Sequence, residues 1–164
     1  MTTKEQLDWC DRVGEYFSTN AGLPSITGRT MAWLMICEPS EQSPADISAA
    51  LSVSRASLTT SLGTLTASGL VRRISRPGSR ARYYRSVEEA WSVALRQRLQ
   101  SIGAFVALVE AGQRLSVSGN TRLRAVEDVY RWFAEEIEPL WQRWEELRSL
   151  AHRSTAVDAR EERA

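Results

Sequence analysis

The sequence predicts a mainly α-helical protein carrying one small β-hairpin, and three observations predict it. Apolar residues recur at spacings of three and four through most of the chain. One Pro-Gly pair, Pro77-Gly78, sits between two short β-prone runs. The C-terminal third holds a heptad register that persists over about four heptads.

At 164 residues the chain has the length of one compact domain, or of one domain with a helical arm. Hydrophobic residues make up 43% and charged residues 25%, enough apolar surface for a core. No apolar run is long enough to span a bilayer, and the stretch from Met1 to Gln6 lacks a basic n-region and an apolar h-region, so a cytoplasmic protein with no membrane partner is expected. Two cysteines, Cys10 and Cys37, are too few for a disulfide scaffold, and with the single His152 they supply no zinc ligand set.

The elements follow in order. From Lys4 to Asn20, Leu7, Cys10, Val13 and Phe17 share one helical face, and Asn20-Ala21-Gly22 ends that helix. Ile26 to Cys37, with Met31, Leu34, Met35 and Ile36, reads as a buried helix broken by Glu38-Pro39-Ser40. Ser43 can cap a short helix whose first residue is Pro44 and whose apolar face carries Ile47, Ala50 and Leu51. Ser54 can cap a further helix from Arg55 to Ser68, closed by Gly69 in the left-handed conformation. Leu70 to Ser75 and Arg82 to Arg85 read as the two strands of a hairpin whose loop is Arg76-Pro77-Gly78-Ser79-Arg80. A long helix from Val87 to Gly112, capped by Ser86, carries Trp91, Leu95, Leu99, Ile102, Val106 and Val109 as its stripe. After a polar break at 116–120, Leu123, Val126, Tyr130, Phe133, Ile137, Leu140, Trp144, Leu147 and Ala151 form an a/d seam. Pro139 should kink that seam near Glu136 or open a fresh helix. The predicted organisation is an N-terminal helix (1–20), a domain of short helices and a hairpin (21–86), a C-terminal helical region (87–153) and a flexible tail (154–164).

Charge is distributed unevenly. Residues 1–53 hold 3 basic and 7 acidic groups, residues 54–100 hold 9 and 2, and residues 101–164 hold 9 and 11. All nine basic groups of the middle segment are arginines, and no Asp or Glu lies between residues 47 and 87. A like-charge cluster of this kind carries a repulsive cost that a phosphate backbone relieves.

Two short helices, a tight turn and a wing-like hairpin form a winged helix-turn-helix, an arrangement that places one helix in the DNA major groove. On the helix after Ser54, Leu58, Leu62 and Leu65 share one side. The opposite side holds Ala56, Thr59, Thr60, Gly63, Thr64 and Ala67. Small side chains let the backbone approach the bases, threonine offers a hydroxyl and a methyl, and Arg55 can reach a phosphate or a guanine. In the wing, Arg76 and Arg80 at the tip are the leading minor-groove candidates, with Arg82 beside them. Arg72 and Arg73 point to opposite sides of a strand, so one of them is free to pack on the domain body.

The run Ser54-Arg55-Ala56-Ser57-Leu58-Thr59, then Leu62, Leu65, Gly69-Leu70-Val71 and Arg73, then Pro77-Gly78-Ser79-Arg80 with Tyr83-Tyr84, resembles the winged helix of the MarR superfamily of bacterial regulators. Upstream, Gly22-Leu23-Pro24 and Gly28-Arg29 resemble its branch related to the repressor of glycine betaine synthesis, the GbsR-like proteins. The resemblance covers residues 21–86 and implies a dimeric repressor or activator of transcription on a pseudo-palindromic operator. Its DNA contacts would fall on Ser54, Arg55, Ser57, Thr59, Thr60 and the wing arginines, with Thr64 on the same helix face. It further implies a small-molecule effector bound between the DNA-binding lobe and the dimerisation helices.

A heptad seam needs a partner, and a two-fold dimer reading two half-sites is the economical arrangement. Leu7 and Phe17 of the first helix and Tyr130, Phe133, Ile137, Leu140, Trp144 and Leu147 of the seam are the predicted dimer residues. Trp132 and Trp141 lie off that seam. Two other readings stand beside the regulator. Some relatives carry a peroxide-reactive cysteine in the first helix, where Cys10 sits, although the neighbouring Asp8 and Asp11 would raise its pKa. A helical module that binds protein would keep the seam but leave the arginine wing without a role. An enzyme is not expected: His152 has no nucleophile motif near it and no phosphate-binding glycine loop or other cofactor motif is present.

Overall fold

A computed structural model describes residues 2–78, 81–115 and 120–161, with side chains through residue 150. The element order is α1 (Lys4–Ala21), α2 (Ser25–Ile36), α3 (Pro44–Leu51), α4 (Arg55–Ala67), β1 (Val71–Ser75), β2 (Arg82–Ser86), α5 (Ala90–Leu115) and α6 (Thr121–Glu161). The expected mainly helical chain with a single hairpin is borne out. No helix among the described residues is long and apolar enough to cross a membrane. The chain divides into two compact units, Met1–Ala94 and Leu95–Ala164.

In the first unit α1, α3 and α4 start where a side chain can satisfy their free N–H groups, whereas α2 follows Pro24 with no side-chain cap. Thr3 caps α1 and Ser43 caps α3 in reciprocal capping boxes with Gln6 and Asp46, and Ser54 caps α4 by accepting from the Ser57 N–H. The Ser43 hydrogen bonds hold the Asp46 carboxyl below its ordinary pKa. Gly22, at φ 63°, closes α1 in the left-handed region and donates its N–H to the Phe17 carbonyl.

Helix α2 is buried nearly all round, with Thr27, Gly28, Thr30, Met31, Ala32, Trp33 and Leu34 inside. Against it pack Cys10 of α1, Ile47 and Leu51 of α3, Leu58, Leu62 and Leu65 of α4, and Val71 of β1. Leu7, Trp9, Val13 and Phe17 cover the same core as half-buried residues, and Trp91 joins Phe17 at 6.3 Å between ring centroids. Helices α1 and α2 touch backbone to backbone. A Cβ on Gly28 would lie 2.9 Å from the Gly14 Cα, and a Cβ on Gly14 would lie 2.8 Å from the Ser25 carbonyl oxygen.

In the second unit α5 and α6 run antiparallel. Phe105 meets Tyr130 at 4.7 Å, Arg96 pairs with Glu138 at 2.9 Å, and Arg131 pairs with Glu110 at 2.6 Å and also with Glu127. Val106, Val109, Ile137 and Trp141 are its buried apolar residues.

Four sequence expectations need correction here. Ser86 ends β2 instead of capping α5, because its backbone is the register partner of Val71; α5 begins at Ala90 after a turn at Val87. Leu95 is 52% exposed, so it lies off the inner stripe of α5. Pro139 lies inside the single helix α6. It therefore opens no fresh helix, although it removes one backbone donor from α6. Helix α6 also continues to Glu161, past Ser154, through the helix formers Ala156, Ala159, Arg160 and Glu161. Most of the polar break, 116–119, lies outside the described residues.

Because Gly14 and Gly28 leave no room for a Cβ, Gly28→Ala should destabilise the first unit by about 1–3 kcal/mol through overpacking. The check is the denaturant midpoint in urea, with an unchanged slope.

Candidate nucleic-acid interface

The turn between α3 and α4 is the pivot of the site. Ser52 adopts φ 54°, a left-handed conformation uncommon outside glycine, and its N–H reaches the Ser48 carbonyl. The Ser48 hydroxyl donates to the Val53 carbonyl at 2.7 Å and locks the turn. On the inner side of α4, the Ser61 and Thr27 hydroxyls meet at 3.1 Å in a buried pair that ties the helix to α2. Four buried residues, Leu58, Ser61, Leu62 and Leu65, therefore set which face of α4 is left outward.

That outward face is the one the sequence singles out. Arg55, Ala56, Thr59, Thr60, Gly63, Thr64 and Ala67 are exposed, while Ser57 is half-buried. Thr59, Thr60 and Thr64 each donate their hydroxyl to the carbonyl four residues back, at 2.8, 3.4 and 3.2 Å. Their protons are thus occupied, and each hydroxyl oxygen and methyl remains presented outward. Ser54 is engaged as the cap, and its hydroxyl lies 2.9 Å from that of Ser57. A Cβ on Gly63 would meet nothing within 4 Å, so no contact inside the chain requires glycine there.

The wing is an antiparallel pair in the register Val71↔Ser86, Arg72↔Arg85, Arg73↔Tyr84, Ile74↔Tyr83 and Ser75↔Arg82. Arg72 and Arg85 stand directly opposite one another, an unfavourable like-charge pair. Arg72 and Arg73 are both exposed, so neither packs on the domain body. Among the described residues, Arg55, Arg72, Arg73, Arg82 and Arg85 have no acidic partner within ion-pair distance. Arg80 and Ser79 of the loop lie outside the described residues.

Arg76 is placed differently. Its Nε and Nη2 donate to Glu41 Oε2 at 3.0 and 2.8 Å, and its guanidinium lies 4.0 Å over the Tyr83 ring. Donating these hydrogen bonds to the Glu41 carboxylate raises its pKa. Beside it, Gln42 and Tyr84 exchange two backbone hydrogen bonds, at 3.0 and 2.8 Å, which adds a one-residue third strand to the wing. Sequence reasoning passed over Glu41 and Gln42, which lie before the acid-free window and follow a break at Pro39. The one available signal was that Glu41 is the last carboxylate but one ahead of that window.

Of the predicted dimer residues, Leu7 and Phe17 are half-buried against the core of the first unit. In the second unit Ile137 is buried within its own chain, whereas Tyr130, Phe133, Leu140, Trp144 and Leu147 are 38%, 39%, 57%, 37% and 60% exposed. Trp141, off the predicted seam, is the inward residue, with its indole N–H on Glu145 at 2.9 Å. Cys10 and Cys37 are buried, and desolvation first of all pushes both thiols up to about 11. For Cys10 the nearby Asp11 adds to the rise.

Comparison with known proteins agrees with this geometry. A family model described as an MmpR5-like MarR family transcriptional regulator matches residues 89–148. A solved transcriptional regulator superimposes with a TM-score of 0.66 at 23% identity, covering 87% of this chain and 99% of that one. The chain has the fold of that regulator, with a winged helix in its first unit. The regulator MmpR5 of Mycobacterium tuberculosis is 27% identical over 108 residues, which cover 66% of this chain and 65% of that protein, just under two thirds of its length. Sco3205, a MarR family regulator from Streptomyces coelicolor solved in complex with DNA, is similar with a TM-score of 0.42 at 20% identity over 71% of this chain and 84% of that one. The family-model match falls on α5 and α6, whereas the motif series of the winged helix lies between Ser54 and Tyr84.

Two outcomes are expected. Gly63→Ala should stabilise the fold by about 0.5–1 kcal/mol, read by thermal unfolding, because the added methyl enters open space and glycine is a poor helix residue. The raised thiol pKa values favour the protonated folded state, so that contribution is complete below pH 9.0 and is lost as pH rises toward about 11. Iodoacetamide at pH 8 should accordingly label neither cysteine until the protein unfolds.

Proposed function

We propose that this chain is a MarR-family regulator of transcription, a homodimer that reads a pseudo-palindromic operator with one α4 helix in each of two successive major grooves. The observation that carries this reading is the outward face of α4, small and hydroxylated, beside a hairpin whose arginines Arg72, Arg73, Arg82 and Arg85 have no acidic partner among the described residues. Ser54, Arg55, Ser57, Thr59, Thr60 and Thr64 meet base edges and the flanking phosphates, and Arg80 and Arg82 carry the wing onto the backbone or into the minor groove. Each phosphate neutralised releases condensed counterions and relieves the repulsion between Arg72 and Arg85.

Dimerisation is supported by the row of exposed apolar residues on α6, Phe133, Leu140, Trp144 and Leu147 among them, which is too large an apolar surface for a monomer to leave in water. A small-molecule effector acts by differential affinity for two spacings of the recognition helices. Within the family, Gly22-Leu23-Pro24 and Gly28-Arg29 support a place in the GbsR-like branch. A cysteine-based peroxide switch at Cys10 is disfavoured, because a buried, desolvated thiol is a poor nucleophile.

Fluorescence anisotropy with DNA from the protein's own upstream intergenic region, against scrambled DNA over a salt series, tests the reading. Saturable binding that prefers the native fragment and weakens steeply with salt is expected; absence of binding to either DNA at low salt overturns it. Arg82→Gln should reduce the slope of log K against log salt by about 0.9 for each protomer's lost contact. A protein-adaptor role would leave such binding absent and unaffected by that substitution. Leu147→Asp should shift the sedimentation equilibrium from dimer to monomer.

A further inference from the structure

We propose that Arg76 is a positioning residue: with Glu41 and Tyr83 it forms a clamp that fixes the wing against the α2–α3 loop, and it is not one of the groove contacts. This rests on the DNA-binding reading above and reassigns one residue within it.

Three independent contacts converge on the same segment. Two guanidinium nitrogens of Arg76 donate to one oxygen of Glu41, at 3.0 and 2.8 Å. The Arg76 guanidinium also covers the Tyr83 ring at 4.0 Å, and Tyr83 is paired in register with Ile74, so the tip side of β1 is bound to β2 and to Glu41 together. The next residue, Gln42, is itself buried, bridges Tyr84 through two backbone hydrogen bonds, and donates its side-chain amide to the Pro39 carbonyl at 2.7 Å. Gln42 is followed at once by Ser43, the cap of α3. The clamp therefore connects the wing to the start of the helix that precedes the recognition helix, and it sets the angle between wing and α4.

The electrostatics separate Arg76 from its neighbours. Among the described residues Arg72, Arg73, Arg82 and Arg85 have no carboxylate within ion-pair distance, whereas Arg76 has one and holds it with a bifurcated, stacked geometry that a lysine cannot reproduce. A charge already neutralised by Glu41 releases no counterion when DNA binds, so Arg76 should influence where the wing sits without adding to the salt dependence.

The test compares Arg76→Gln, Glu41→Gln, Arg76→Lys and the reversed pair Glu41→Arg with Arg76→Glu, all in the full chain and alongside Arg82→Gln. In the anisotropy assay, Arg76→Gln and Glu41→Gln should each reduce the preference for native over scrambled DNA by about threefold or more, as coupled members of one network do. Both should leave the salt slope at its wild-type value while Arg82→Gln lowers it. Arg76→Lys should fail to restore the preference, and the reversed pair should recover part of it. In the free protein, amide exchange at Gln42 and Tyr84 should accelerate in Arg76→Gln. A salt slope that falls in Arg76→Gln as it does in Arg82→Gln, or full binding by Arg76→Lys, overturns the proposal and makes Arg76 a phosphate contact. If the wild-type chain binds no DNA, the DNA-binding reading itself fails. The exchange experiment then judges the clamp alone, and unchanged rates at Gln42 and Tyr84 overturn it.

Discussion

Helix α2 is buried on almost every side, and the placement of the outward, hydroxylated face of α4 depends on that burial. A helix with Thr27, Met31, Trp33 and Leu34 all inside must have neighbours around its whole circumference. Helix α1 covers one side through the close approach of Gly14 and Gly28. Helix α4 covers another through Leu58, Leu62 and Leu65 and through the Thr27–Ser61 hydroxyl pair. Buried hydroxyls left unpaired carry a desolvation penalty, so the pair at 3.1 Å restricts the rotation of α4 about its own axis more sharply than leucine packing alone. The same constraint that builds the core thus determines which threonines face outward.

The first unit separates its polar residues by function. Serines and threonines at helix starts and turns, Thr3, Ser43, Ser48 and Ser54, satisfy backbone groups that the helices leave open. The threonines on the outer face of α4 satisfy their own protons on the preceding turn and leave oxygens and methyls outward. Arginines follow a similar division: Arg29 meets Asp11 and Arg76 meets Glu41, while Arg72, Arg73, Arg82 and Arg85 have no acidic partner among the described residues. An excess of unpaired positive charge beside a small hydroxylated surface suits a polyanion better than a protein partner.

Helix α6 shows how one apolar stripe can serve two surfaces. Its residues Ile137 and Trp141 are buried beneath the side facing α5, yet Phe133, Leu140, Trp144 and Leu147 on the adjoining side are open. The heptad register read from sequence falls between these sides, because an apolar arc wide enough for two neighbours satisfies the three-four spacing at more than one offset. Periodicity reports that an arc exists. It does not divide the arc between the helix's own chain and another.

Local chemistry determined much of this protein without any tertiary information. Ser43-Pro44 and Ser54 set the starts of α3 and α4, Gly69 at φ 75° stops α4, and Pro77-Gly78 turns the hairpin; each is a property of a few adjacent residues. The outward face of α4 was legible for the same reason, since helical spacing fixes which side chains oppose Leu58, Leu62 and Leu65. Contacts between distant residues were decided by the fold alone. Glu41 reaches Arg76 across 35 residues, Gln42 pairs with Tyr84, and Thr27 meets Ser61 across 34, none of which follows from local propensity. Ser86 passed to β2 because its pairing with Val71 outweighed its capping preference, and Trp141 turned inward because α5 lay on that side. Propensity and spacing act within a turn or a strand, whereas the partner of a charge, a hydroxyl or an apolar arc depends on which elements the core brings side by side.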